Sequence, residues 1–73
     1  MDIQKGYEDL ANAIIVSAVK DYRAAKRVLK RHPNNDVAIK TVDEIERFFH
    51  SVWYSQLTKV DGVRLLKSLQ QEG

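Results

Sequence analysis

Tyr7, Leu10, Ile14, Ala18, Tyr22, Ala25 and Leu29 follow one another at intervals of three or four, and Ala11, Ile15 and Val19 widen the stripe. That spacing gathers them on one side of a 3.6-residue helix, so the pattern predicts one long helix over Tyr7–Arg31. Gly6 marks its start, with Glu8 and Asp9 in a first turn that favours negative charge, while cations collect at the other end. His32-Pro33-Asn34-Asn35 then ends it, because proline disfavours helical geometry in the residue before it and asparagines suit a turn.

Asn35 is the expected N-cap of a second helix from Asp36 to about His50, with Ala38, Val42, Ile45 and Phe49 as its apolar stripe and Phe48 beside it. Asp43 with Arg47, and Lys40 with Glu44, form i,i+4 pairs suited to a solvated face. Ser51 caps a short third helix holding Val52, Trp53, Tyr54 and Leu57 and ending near Thr58. Asp61 caps a last helix to about Gln71, in which Val63, Leu65, Leu66 and Leu69 are apolar and Gly62 weakens the first turn. The pattern therefore predicts an all-α fold: a small bundle of a long N-terminal helix, a second helix, a short third helix and a C-terminal helix, in a single domain over residues 1–73.

Length changes that picture. A helix of 25 residues spans about 37 Å, whereas a compact chain of this size has a diameter of about 29 Å. The first helix is expected to outgrow its own bundle and to pair with the first helix of a second copy, giving a homodimer. A chain of 73 residues buries only about 60% of its unfolded surface, and with no cysteine it has no disulfide to compensate, so self-association is a natural source of stability.

Charge adds a direction. Between Lys20 and His32 stand Lys20, Arg23, Lys26, Arg27, Lys30 and Arg31 against the single acid Asp21, a segment of +5 in a chain of net +2. On a helix Arg23, Arg27, Lys30 and Arg31 share one side and Lys20 extends it, a strip about 16 Å long. Such a strip suits an acidic protein partner, and it also matches two or three phosphates of a nucleic-acid strand. The same cations also suit a helix C-terminus as dipole complements, and Asp36, Asp43, Glu44 and Glu46 of the second helix are available to neutralise them within the chain. Among the aromatic residues, Phe49 and Trp53 are expected in the core. Tyr54, which cannot face the same way as its neighbour Trp53, is expected to be exposed and to join the partner-contacting set.

Enzymatic chemistry finds no residue supply. Glu46 and His50 share a helix face but lack a third metal ligand, the glycines Gly6, Gly62 and Gly73 are isolated, and Ser17 and Ser55 have no recognisable base nearby. No cofactor or metal is expected. A helix-turn-helix over residues 51–71 would present Arg64, Lys67, Ser68, Gln70 and Gln71 to a groove, but its first helix is short and no cations concentrate around it. No stretch approaches the roughly 20 apolar residues of a membrane span, and the opening MDIQKGYEDL holds acids where a leader would be apolar, so a cytoplasmic location is expected.

Ala13-Ile14-Ile15-Val16, Ala18-Val19-Lys20-Asp21-Tyr22-Arg23, Glu44-Ile45-Glu46-Arg47-Phe48-Phe49, Ser51, Trp53, Leu57 and Asp61-Gly62 together resemble small proteins of no assigned activity encoded by phages, prophages and conjugative elements of Gram-positive bacteria. The resemblance covers residues 8–71. It implies a setting in which small proteins act by binding a host or element-encoded protein, or by assisting DNA transactions, and it singles out Asp21, Tyr22 and Arg23 as polar positions within the pattern. The expected contact residues are thus Lys20, Asp21, Arg23, Lys26, Arg27, Lys30, Arg31 and Tyr54.

Overall fold

A computed structural model describes residues 3–72, with side chains from residue 5 onward. Met1 and Asp2, part of the acidic opening stretch, and the isolated Gly73 lie outside the described residues. The described chain folds as α1 (Ile3–Arg31), α2 (Asp36–Phe49), α3 (Val52–Leu57) and α4 (Gly62–Gln71), and contains no strand. All three caps read from the sequence are made. Asn35 accepts from the Ala38 N–H at 3.0 Å, Ser51 from the Tyr54 N–H at 3.1 Å, and Asp61 from the N–H groups of Val63 and Arg64 at 3.0 and 3.3 Å. Each satisfies amide donors that the first turn of a helix leaves without partners.

The start of α1 differs from expectation. It runs unbroken through Gly6, so Glu8 and Asp9 sit beyond its first turn, which holds no acid. Glycine lowers helix propensity without forbidding helical geometry, and the space around Gly6 is open, so nothing there stops the helix. The turn after α1 is as read: the Asn35 N–H donates to the His32 carbonyl at 3.0 Å across Pro33 and Asn34, reversing the chain so that α2 packs against α1. At its other end α2 stops at Phe49, with His50 as its C-cap.

Tyr22, Phe49, Tyr54, Leu66 and Leu69 form the buried core, with Ile15, Ala18, Val19, Val42, Ile45, Phe48 and Leu65 packed around it. Trp53 and Tyr54 exchange the places expected of them. Tyr54 is 2% exposed and Trp53 55%. The Tyr54 ring meets Phe48 and Phe49 edge-on at 5.5 and 5.4 Å, and Gly62 lies beneath it: a Cβ at Gly62 would come within 2.8 Å of that ring and collide with the Phe49 carbonyl. Only a glycine lets the start of α4 approach this closely, and the space so made receives the tyrosine. Successive residues on a helix diverge by about 100°, so Trp53 is turned outward and keeps one edge contact, with Phe48 at 5.3 Å.

The molecule measures 46 × 21 × 19 Å, with a radius of gyration of 13.6 Å against about 11 Å for a compact chain of this length. The long dimension is that of α1, whose 29 residues span about 43 Å. The sequence predicted that this helix outgrows its bundle, and it does. The overhang is its N-terminal end, where every described side chain from Lys5 to Leu10 is exposed, while the basic half is braced along its inner side by α2.

Candidate interaction surface

The buried line of α1 passes through Ala11, Tyr22 and Ala25, with Ile15, Ala18, Val19 and Leu29 half-buried, and this fixes the orientation of everything else on the helix. Lys20, Arg27 and Arg31 fall on the opposite side, Arg23 and Lys30 on the flank between the two, and all five are exposed. Among the described residues Lys20, Arg27, Lys30 and Arg31 have no ion-pair partner. Of the four acids of α2, Asp36 makes no ion pair among the described residues, while Asp43 pairs with Arg47 at 3.2 Å and Glu44 with Lys40 at 4.0 Å, the two pairs read from spacing. Glu46 turns inward, accepting from the Tyr22 hydroxyl at 3.0 Å and from the Gln70 amide at 3.3 Å. The strip is therefore not neutralised by the second helix. Burial, reinforced by the hydrogen bond and charge of Glu46, pushes the Tyr22 phenol up to about 12.

Arg23 has a partner from the far end of the chain. Its Nε and Nη2 donate to the two carboxylate oxygens of Glu72, each at 2.8 Å, in a two-pronged contact between half-exposed side chains. The hydrogen bonds and charge of Arg23 hold the Glu72 carboxyl below the usual carboxylate range. Glu72 was not legible as a site residue, since 49 positions separate the two and only the packing of α4 on α2 brings its C-terminal end near α1.

Between the basic half of α1 and the end of α4 this arrangement leaves an open groove of about 520 Å³. Arg23, Lys26, Arg27 and Lys30 supply its charged walls, Leu29 and Leu69 its apolar floor, and Gln70 and Glu72 its far rim. The Lys26 ammonium stands 6.0 Å from the centroid of the Tyr22 ring, at the outer reach of a cation–π contact. Lys20 and Arg31 lie outside the groove and belong only to the strip.

Two other expected contact residues are placed differently. Asp21 is exposed on the flank facing the α1–α2 junction, where a shallow depression of about 500 Å³ also takes in Val28 and Val37. Tyr54, expected on the surface, is buried and belongs to the core, so it contacts no partner; burial and the nearby Asp61 charge raise its phenol. The exposed aromatic residue of α3 is Trp53, which the sequence reading had assigned to the core.

Past the bundle, α1 continues its apolar stripe with no described residue packed over it. Tyr7 is 55% and Leu10 62% exposed, on the side of the helix that is buried further along. No group of three or more His, Asp or Glu side chains among the described residues could hold a metal ion, and no described helix is long and apolar enough to cross a membrane. No protein-family model matches the chain, and no curated protein or solved structure matches it.

Proposed function

We propose that this chain is a small non-enzymatic interaction protein of a phage or other mobile element, acting in the cytoplasm by binding a host or element-encoded protein through the basic face of α1. The observation that carries the reading is the row Lys20, Arg27, Lys30 and Arg31, four exposed cations without ion pairs among the described residues, on one uninterrupted helix. Only Lys30 and Arg31 stand in the last turn, where they complement the helix C-terminus; Lys20 and Arg27 lie before it, and the inner side of the same helix does the packing. A surface of one sign attracts partners of the other and speeds their encounter.

The protein acts as a homodimer joined through the first helices. Its accessible surface is 5779 Å², against about 4,600 Å² for a compact monomer of 8.4 kDa, an excess of about 1,200 Å². A standard interface removes about 800 Å² from each partner, about two-thirds of that excess, and the exposed Tyr7 and Leu10 of the overhang are apolar side chains that pairing of the first helices would cover.

The alternative is an accessory nucleic-acid-binding protein using residues 20–31, favoured by the one uninterrupted helix that carries the strip and by its length of about 16 Å. Salt separates the two. Binding to several phosphates weakens steeply between about 50 and 200 mM salt, so a gel-shift series on duplex and single-stranded DNA that shows no complex at the low end removes the alternative. For the first reading, proteins retained from host lysate by the wild type and lost by an Arg27→Glu/Lys30→Glu double variant support it. A capture profile that the double variant leaves unchanged overturns it.

A further inference from the structure

The groove between α1 and α4 differs from the strip in having an apolar floor, and one carboxylate already sits at its edge. Glu72 accepts two 2.8 Å hydrogen bonds from Arg23, showing which group this wall takes and in what geometry. We infer that the groove is a docking site for an acidic amphipathic peptide segment of a partner protein, and that Glu72 is a tethered stand-in which the partner's own carboxylate displaces from Arg23. The inference rests on the reading of the basic face of α1 as a partner surface and specifies where on that face, and for what chemistry, binding occurs.

Two observations favour a peptide over a nucleic acid. Leu29 and Leu69 at the floor offer contact to an aliphatic side chain, which a phosphate backbone does not carry. The exposed aromatic side chains Tyr7 and Trp53 take no part in lining the groove, and Tyr22, which does line it, is fully buried, so bases would find no platform there. Lys26, Arg27 and Lys30 add three further cations to the same wall, enough for several acids on one face of a helix or extended strand. Because the Arg23–Glu72 pair is half-exposed, breaking it costs little and the exchange of one carboxylate for another is close to balanced.

The test uses the full chain and a fluorescein-labelled synthetic peptide of about 15 residues with Glu and Leu at helical spacing, compared with polyglutamate of equal charge and with a short DNA duplex, by anisotropy at about 100 mM salt. The amphipathic peptide is expected to bind about tenfold more tightly than either comparator. Lys26→Ala with Lys30→Ala, both in the groove, should weaken it about tenfold, while Lys20→Ala with Arg31→Ala, removing equal charge from outside it, should weaken it less than about threefold. Glu72→Gln should tighten binding about two- to fivefold, whereas Glu44→Gln, the same change of charge on α2, should leave it unchanged. All these positions are exposed, so the helical circular dichroism of each variant should match the wild type. Equal binding of polyglutamate or tighter binding of the duplex overturns the inference, as does absence of peptide binding, equal loss in the two lysine and arginine pairs, or no difference between Glu72→Gln and Glu44→Gln. Loss confined to Lys20 and Arg31 sinks the groove while leaving the basic face as a partner surface; that broader reading fails separately, on an unchanged capture profile for the Arg27 and Lys30 variant.

Discussion

The Tyr22 hydroxyl donates to Glu46 across 3.0 Å, tying the most deeply buried ring of α1 to a carboxylate of α2 that also accepts from Gln70 of α4. One acid thereby joins three helices, and none of the acids of α2 pairs with a cation of α1 among the described residues.

Alkaline pH should expose this contact. Tyr22 titrates near 12 when folded, above its ordinary value of 10.0, so the folded state favours the protonated phenol. The resulting stability is fully present below about pH 10 and is lost as pH rises from 10 to 12, by about 2 kcal/mol. Urea midpoints of the wild type should fall over that interval, and those of Tyr22→Phe should fall less. Near neutral pH, Tyr22→Phe should cost about 1 kcal/mol, since Glu46 keeps its bond from Gln70. Parallel alkaline curves for the two proteins would refute the assignment.

Gly62→Ala should destabilise the fold although alanine is the better helix former. The added methyl would strike the Phe49 carbonyl and the Tyr54 ring, a backbone and a packed ring that cannot rotate away. Against a propensity gain of about 1 kcal/mol, the overpacking and the displaced α4 should leave a net loss of about 2 kcal/mol. Chemical denaturation measures it, and an unchanged midpoint would show that α4 has room to move.

Replacing Trp53 and Tyr54 in turn should give opposite results from those their sizes suggest. Tyr54→Ala empties a core site bounded by Phe48, Phe49 and Gly62 and should cost about 3–5 kcal/mol, whereas Trp53→Ala removes an outward ring and should cost less than about 1 kcal/mol. Equal losses would mean that Trp53 is covered in solution.

Much of the fold is legible in the sequence because it is local. Helical spacing, the proline-asparagine turn and the capping residues Asn35, Ser51 and Asp61 act within a few positions, and all four helices follow from them. The helix start at Gly6 was misread because a glycine with open space around it permits what it does not favour. Trp53 and Tyr54 were exchanged because the rotation of α3 depends on a close approach made 8 residues after Tyr54, at Gly62, which no periodicity encodes. The cationic row was legible as a helical face. The groove was not, since Leu69, Gln70 and Glu72 reach it only through the return of α4, and side-chain contacts between residues so far apart leave no mark on local patterning.

The most direct test of the account is the mass of the intact protein in solution, because the central claim is that α1 is too long for its own bundle and completes its apolar stripe on another copy. Light scattering at about 100 µM, well above the micromolar range of modest interfaces, should give twice the 8.4 kDa chain mass. Leu10→Glu, which places a charge on the exposed overhang, should return the mass to that of one chain without changing the helical signal. A wild type that remains a single chain at that concentration, with its helicity intact, would contradict the account.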